Sequence, residues 1–181
     1  NGDISAANAV PGITLPLFSS MIKDIGIWQI SEGLLFHFHK VRPLLFIVLK
    51  LFGLKHYAKL KPIVKIGQRS HRQLHHHLDI LENQLSSTEG EWILGTQYSL
   101  ADVSWTVIFE RLVQADCLNS FIGKLIRPAC WTYWQALKDR PSYREAILEH
   151  SHPTIARGTA RLNAEKMINA DLRVAVFADN H

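Results

Sequence analysis

A chain of 181 residues, 47% apolar and 20% charged with a net charge of +4, is too apolar and too weakly charged to be disordered, and it is long enough to bury one domain core. Its longest apolar run, residues 44–49, falls far short of the ~20 residues a membrane span needs. Cys117 and Cys130 form neither a C-x-x-C pair nor a metal-ligand pattern, which excludes a disulfide framework and points to a reducing, cytoplasmic setting.

The opening residues are polar and carry no signal-type stretch, and residues 1–16, with Gly2, Pro11, Gly12 and Pro16, read as a lead-in segment. From residue 17 to about residue 40, Phe18, Ile22, Ile25, Trp28, Leu35 and Phe38 recur at helical spacing. Gly26 and Gly33 weaken that helix, and Pro43 interrupts it. Residues 44–54 are apolar almost all round and close at Gly53, so they predict a short buried helix inside an insertion near 42–66. Pro62 suits the first turn of a longer helix, on which Leu74, Leu78, Leu81 and Leu85 form one face. Gly90 and Gly95 mark a loop. In the tail, residues 153–181, the stretch 173–177 suits a short strand. The body is expected to be an all-α bundle of five to seven helices over residues 17–152.

Charge divides the chain. Residues 33–78 hold nine Lys/Arg and seven histidines but no Asp or Glu, whereas residues 79–181 hold 10 basic and 13 acidic side chains. Such a block is a solvated face or the footprint of an anionic partner. Residues 44–54, collared by Lys40, Arg42, Lys55, Lys59 and Lys61, suit either a helix packed on the bundle or at a dimer contact, or a patch lying on a membrane surface. No stacking aromatics or nucleic-acid motif accompany the basic residues, so nucleic acid is not an expected partner.

The hexapeptide 98–103 carries the most information. Ser99 and Asp102 have the spacing of a capping box, and Tyr98 and Val103 the spacing of a hydrophobic staple. The helix that follows is apolar on nearly every side, which predicts a central helix surrounded by others. Ser99 and Asp102 are therefore structural residues rather than two members of a hydrolase triad. His71 and His75 share a helix face one turn apart, as two zinc ligands do, but zinc needs three or four ligands, and these weak candidates more readily form a solvated, pH-sensitive face.

Trp92-Ile93-Leu94-Gly95 followed by Tyr98-Ser99-Leu100-Ala101-Asp102 resembles the core signature of the C-terminal helical domain of cytosolic glutathione transferases. Arg127-Pro128, Trp131, Trp134 and Arg140-Pro141-Ser142-Tyr143 are similar to its next two helices and the turn between them. The long insertion is similar to that of the subgroup related to ganglioside-induced differentiation-associated proteins. The resemblance implies that this is the co-substrate-binding half of a transferase, and that glutathione is the co-substrate of the full-length protein. An N-terminal thioredoxin-like domain would hold the glutathione and activate its thiol, so no catalytic residue is expected in this chain and the chain alone should be inactive. The start at Asn1, without Met, favours a piece of a longer protein over a free-standing module.

The family's first domain helix and central helix line a pocket for an apolar electrophile. That implies substrate-binding roles for Trp28, Glu32 and Phe36, which lie on one helical ridge, and for Trp105 and Phe109; the default reading of the aromatic members is core. A homodimer and an anionic membrane surface are the other partners considered. The competing functional reading is a non-enzymatic interaction module that docks through the basic stretch 33–78.

Overall fold

A computed structural model of the chain describes residues 5–29, 32 and 41–177. The chain starts folding earlier than its glycines and prolines suggest. Ser5 caps α1 (Ala6–Ile13) by accepting a hydrogen bond from Asn8 N at 3.3 Å, and α2 (Leu15–Met21) follows after Thr14 alone. The lead-in reading of residues 1–16 is corrected accordingly. Ala9, Val10 and Ile13 are buried, and α1 crosses α4 (Lys61–Ser87) closely at Gly12. A Cβ on Gly12 would lie 2.0 Å from Ser70 Oγ, so this glycine permits a helix contact rather than a loop.

The continuous helix expected from residue 17 to 40 is also broken. After α2 a short 3-10 turn, Ile22–Asp24, leads to extended backbone at Ile25. Phe36, with residues 30–31 and 33–40, lies outside the described residues. The next helix, α3 (Val41–Phe52), contains Pro43 instead of starting beyond it. It is not buried all round: Leu49 has no exposed surface, whereas Leu44, Leu51 and Phe52 are exposed. A one-sided helix results because its neighbours α2 and the Leu54–Lys59 turn cover only one flank.

The leucine face of α4 behaves as read, with Leu74, Leu78 and Leu81 buried against α6 (Pro128–Asp139). Two acidic side chains of α4 fix the start of α6. Glu82 accepts from Ala129 N at 2.9 Å and Cys130 N at 2.7 Å, satisfying donors that the helix itself leaves open. Arg127, nearly buried, donates to Asp79 Oδ1 through Nε at 3.0 Å and Nη2 at 2.6 Å, and through Nη1 to the Phe121 carbonyl. A lysine cannot reproduce that fork. Arg127→Lys is therefore expected to cost about 1–3 kcal/mol in a urea melt, the scale of hydrogen bonds to charged groups.

The central helix α5 (Leu100–Gln114) starts at a closed capping box. Asp102, with no exposed surface, accepts from Ser99 N and Ser99 Oγ at 2.7 Å each, from Ile93 N at 3.1 Å and from Tyr133 OH at 2.7 Å. One carboxylate thus ties the 92–97 turn, the start of α5 and α6 together. Tyr98 turns towards Trp92, ring to ring at 5.1 Å, and lies 3.6 Å below the Arg140 guanidinium. Its expected staple partner, Val103, is exposed.

The tail is folded. The helix α7 (Pro153–Ile168) packs on α2, where Ser20 Oγ donates to the Gly158 carbonyl at 2.7 Å. The short strand expected at residues 173–177 is instead part of α8 (Ala170–Phe177), which buries Leu172 and Val176 against α4 and the Leu54–Lys59 turn. No strand forms among the described residues, only isolated bridges in the 92–97 turn. Among these residues no helix is long and apolar enough to cross a membrane.

Candidate functional site

The central helix is open on one side, which corrects the expectation that other helices surround it. Leu100 is 84% exposed, and Val103 and Val107, three and seven residues on, share its face and are partly exposed, at 43% and 49%. Opposite them stand Ala7, Val10 and Pro11 of α1. Together with Val103, Ser104, Val107, Ile108 and Arg111, these three line an open apolar groove of about 420 Å³. That size and lining suit a small apolar ligand. Arg111 puts a cation on the rim, its Nη1 donating to Gln114 Oε1 at 2.8 Å. Glu110 turns away and accepts from Tyr143 OH at 2.7 Å and Gln114 Nε2 at 2.9 Å, so it braces the domain from within.

Of the residues expected to bind substrate, the described ones, Trp28, Glu32, Trp105 and Phe109, do not line this groove. Phe109 has no exposed surface and packs between Trp134, at 5.5 Å, and Tyr133, at 6.2 Å. Trp105 is half-buried, 5.5 Å from Phe109. Trp28 is 80% exposed and Glu32 is also exposed, both in the segment after α2. Sequence reasoning assigned binding to none of the groove residues: on α5 it chose Trp105 and Phe109 over Val103, Ser104, Val107, Ile108 and Arg111, and it missed α1, whose helical character was hidden by Pro11 and Gly12. The signal was present in the i, i+3, i+4 spacing of Ala7, Val10 and Pro11.

The remaining chemical candidates are structural. His71 and His75 flank the Phe121 ring at 4.8 and 4.7 Å, and His75 Nδ1 lies 3.3 Å from Arg127 Nη2. Among the described residues no three His, Cys, Asp or Glu side chains gather as a metal site. Burial pushes the Cys117 thiol up to about 12, and burial with the Glu82 carboxylate nearby raises that of Cys130 further. Both thiols are protonated at neutral pH and are therefore poor nucleophiles.

The fold can be set against known proteins. Residues 66–142, which run from α4 through the capping box to the turn after α6, match the family described as "Glutathione S-transferase, C-terminal domain". No curated protein and no solved structure matches the chain. The matched segment contains both the Ser99–Asp102 box and the Arg127–Pro128 helix start, the two features by which the sequence suggested the family. Residues 66–142 are thus similar to the C-terminal domain of glutathione S-transferases.

Proposed function

We propose that this chain is the co-substrate-binding half of a glutathione-transferase-like protein. The observation that carries the reading is the open apolar face of α5. Leu100, Val103 and Val107 occupy a helix the fold places at its centre, and they stay exposed unless another body covers them. A thioredoxin-like domain is the covering body this reading assigns, with glutathione as co-substrate. The electrophile lies in the α1–α5 groove. Glutathione thiolate, its proton lost to solvent, attacks the electrophilic carbon; a C–S bond forms while the bond to a leaving group such as chloride breaks. The groove contributes proximity and exclusion of water, and no side chain here transfers a proton.

The test is equilibrium binding of chlorodinitrobenzene to the 181-residue chain and to Val107→Lys. The reading expects saturable binding that the substitution weakens about tenfold, the scale of burying one valine side chain. It also expects no glutathione conjugation by the chain alone. Equal affinity for both proteins would remove the groove from the account, and turnover by the chain alone would place catalysis in residues not assigned to it.

A further inference from the structure

A second apolar surface lies away from the groove. On α3, Leu44, Leu51 and Phe52 fall at i, i+7 and i+8, one stripe of the helix, and Leu51 is 72% exposed. Residues 22–25 meet this helix on another face. Lys50 Nζ donates to the carbonyls of Ile22 at 3.2 Å and Ile25 at 2.6 Å, and the Phe18 and Phe46 rings stack at 6.3 Å. These contacts anchor the helix that carries the stripe.

Its charge is one-sided. Exposed Lys23, Lys55, Lys59 and Lys61 stand in the segments that carry or adjoin it. Between residues 25 and 78 the sequence contains a single acidic side chain, Glu32. Asp24, at the near edge, is already matched by Arg161 at 2.7 Å and Arg157 at 3.3 Å. Glu165 and Asp171, across a polar groove from Lys55, mark where the basic surface ends.

We infer that this patch docks on the surface of a bilayer containing anionic phospholipid. α3, 12 residues and roughly 18 Å long, lies in the interfacial plane. Its leucines and Phe52 enter the boundary between headgroups and acyl chains while the lysines meet the headgroup phosphates. A side chain as exposed as Leu51 stands proud of the surface and suits a fluid medium, which needs no shaped cavity to receive it. The lysines select its charge. This inference is independent of the α1–α5 groove and of transferase activity.

The experiment is co-sedimentation of the full chain with phosphatidylcholine vesicles, with and without about 30% phosphatidylserine. Partitioning at least tenfold stronger to the anionic vesicles is expected. Lys55→Gln and Lys59→Gln should each lower it about fivefold, and salt near 0.5 M should abolish most of it. Leu51→Glu should reduce binding at least tenfold with the far-ultraviolet circular dichroism unchanged, since that side chain is exposed. Leu125→Glu, also at an exposed leucine but outside the patch, should bind as the parent does. Equal partitioning to neutral vesicles, no partitioning at all, or an indifferent Leu51→Glu would each overturn the inference. So would a Leu51→Glu that splits a dimer while the parent ignores vesicles, because the patch would then be covered by a second copy.

Discussion

Replacing Asp102 by alanine is expected to lower the stability of the domain by about 3–5 kcal/mol, the cost of breaking a buried charged network. Four donors point at this one carboxylate: Ile93 N, Tyr133 OH, Ser99 N and Ser99 Oγ. Alanine leaves these donors, the buried Tyr133 hydroxyl among them, without their acceptor. Asparagine is the informative control. It keeps the shape and one acceptor oxygen, but its amide N–H₂ faces a donor, so a smaller loss is expected.

Acid separates the parent from this control. Burial opposes ionisation of Asp102, but the hydrogen bonds from Ser99, Ile93 and Tyr133 outweigh it and hold the carboxyl below the ordinary 3.8. A carboxyl with a lower pKa in the folded chain than in the unfolded one stabilises fully above the unfolded value. That contribution is lost as pH falls below 3.8 and through the folded value. The stability gap between the parent and Asp102→Asn should therefore be widest near neutrality and shrink on acidification. Urea melts at about pH 7 and about pH 3 measure it. A gap that does not change with pH would mean Asp102 is not ionised in the fold.

Phe109→Ala is expected to cost about 3–5 kcal/mol, the range for emptying a buried aromatic site. The ring sits among Trp105, Tyr133 and Trp134, with centroid distances of 5.5, 6.2 and 5.5 Å. It lies behind the groove rather than in its lining, so the loss should appear in a thermal or urea melt before it appears in ligand affinity. A variant that melts within about 1 kcal/mol of the parent yet binds chlorodinitrobenzene much more weakly would return Phe109 to the pocket wall.

Local periodicity made parts of this fold legible. The leucine spacing of α4 and the Ser99–Asp102 box depend on residues within one helix or one turn, and both formed as read. What the sequence hid was decided by neighbours. Residues 44–54 are apolar almost all round, but which of them are covered depends on where α2 and the Leu54–Lys59 turn lie. Leu100, Val103 and Val107 look like core by composition, yet Leu100 stays exposed and α1 covers Val103 and Val107 only in part. α1 failed for a different reason. Pro11 and Gly12 are loop residues by propensity, and tertiary contact with Gly67 and Ser70 overrides that preference. In the tail, Val174 and Val176 alternate with Arg173 and Ala175 as in a strand, but docking of Leu172 and Val176 beneath α7 and against α4 selects a helix.

The central claim is that a second domain covers the open face of α5. The intact mass of the native polypeptide, with its sequence read by tandem mass spectrometry after antibody enrichment, tests it most directly. The account expects a mass about 9 kDa or more above the 20.6 kDa of this chain, the size of a small domain, with the added sequence thioredoxin-like. A native polypeptide of 20.6 kDa would contradict it, because the chain would then carry no glutathione-binding half and its exposed surfaces would be those of an interaction module.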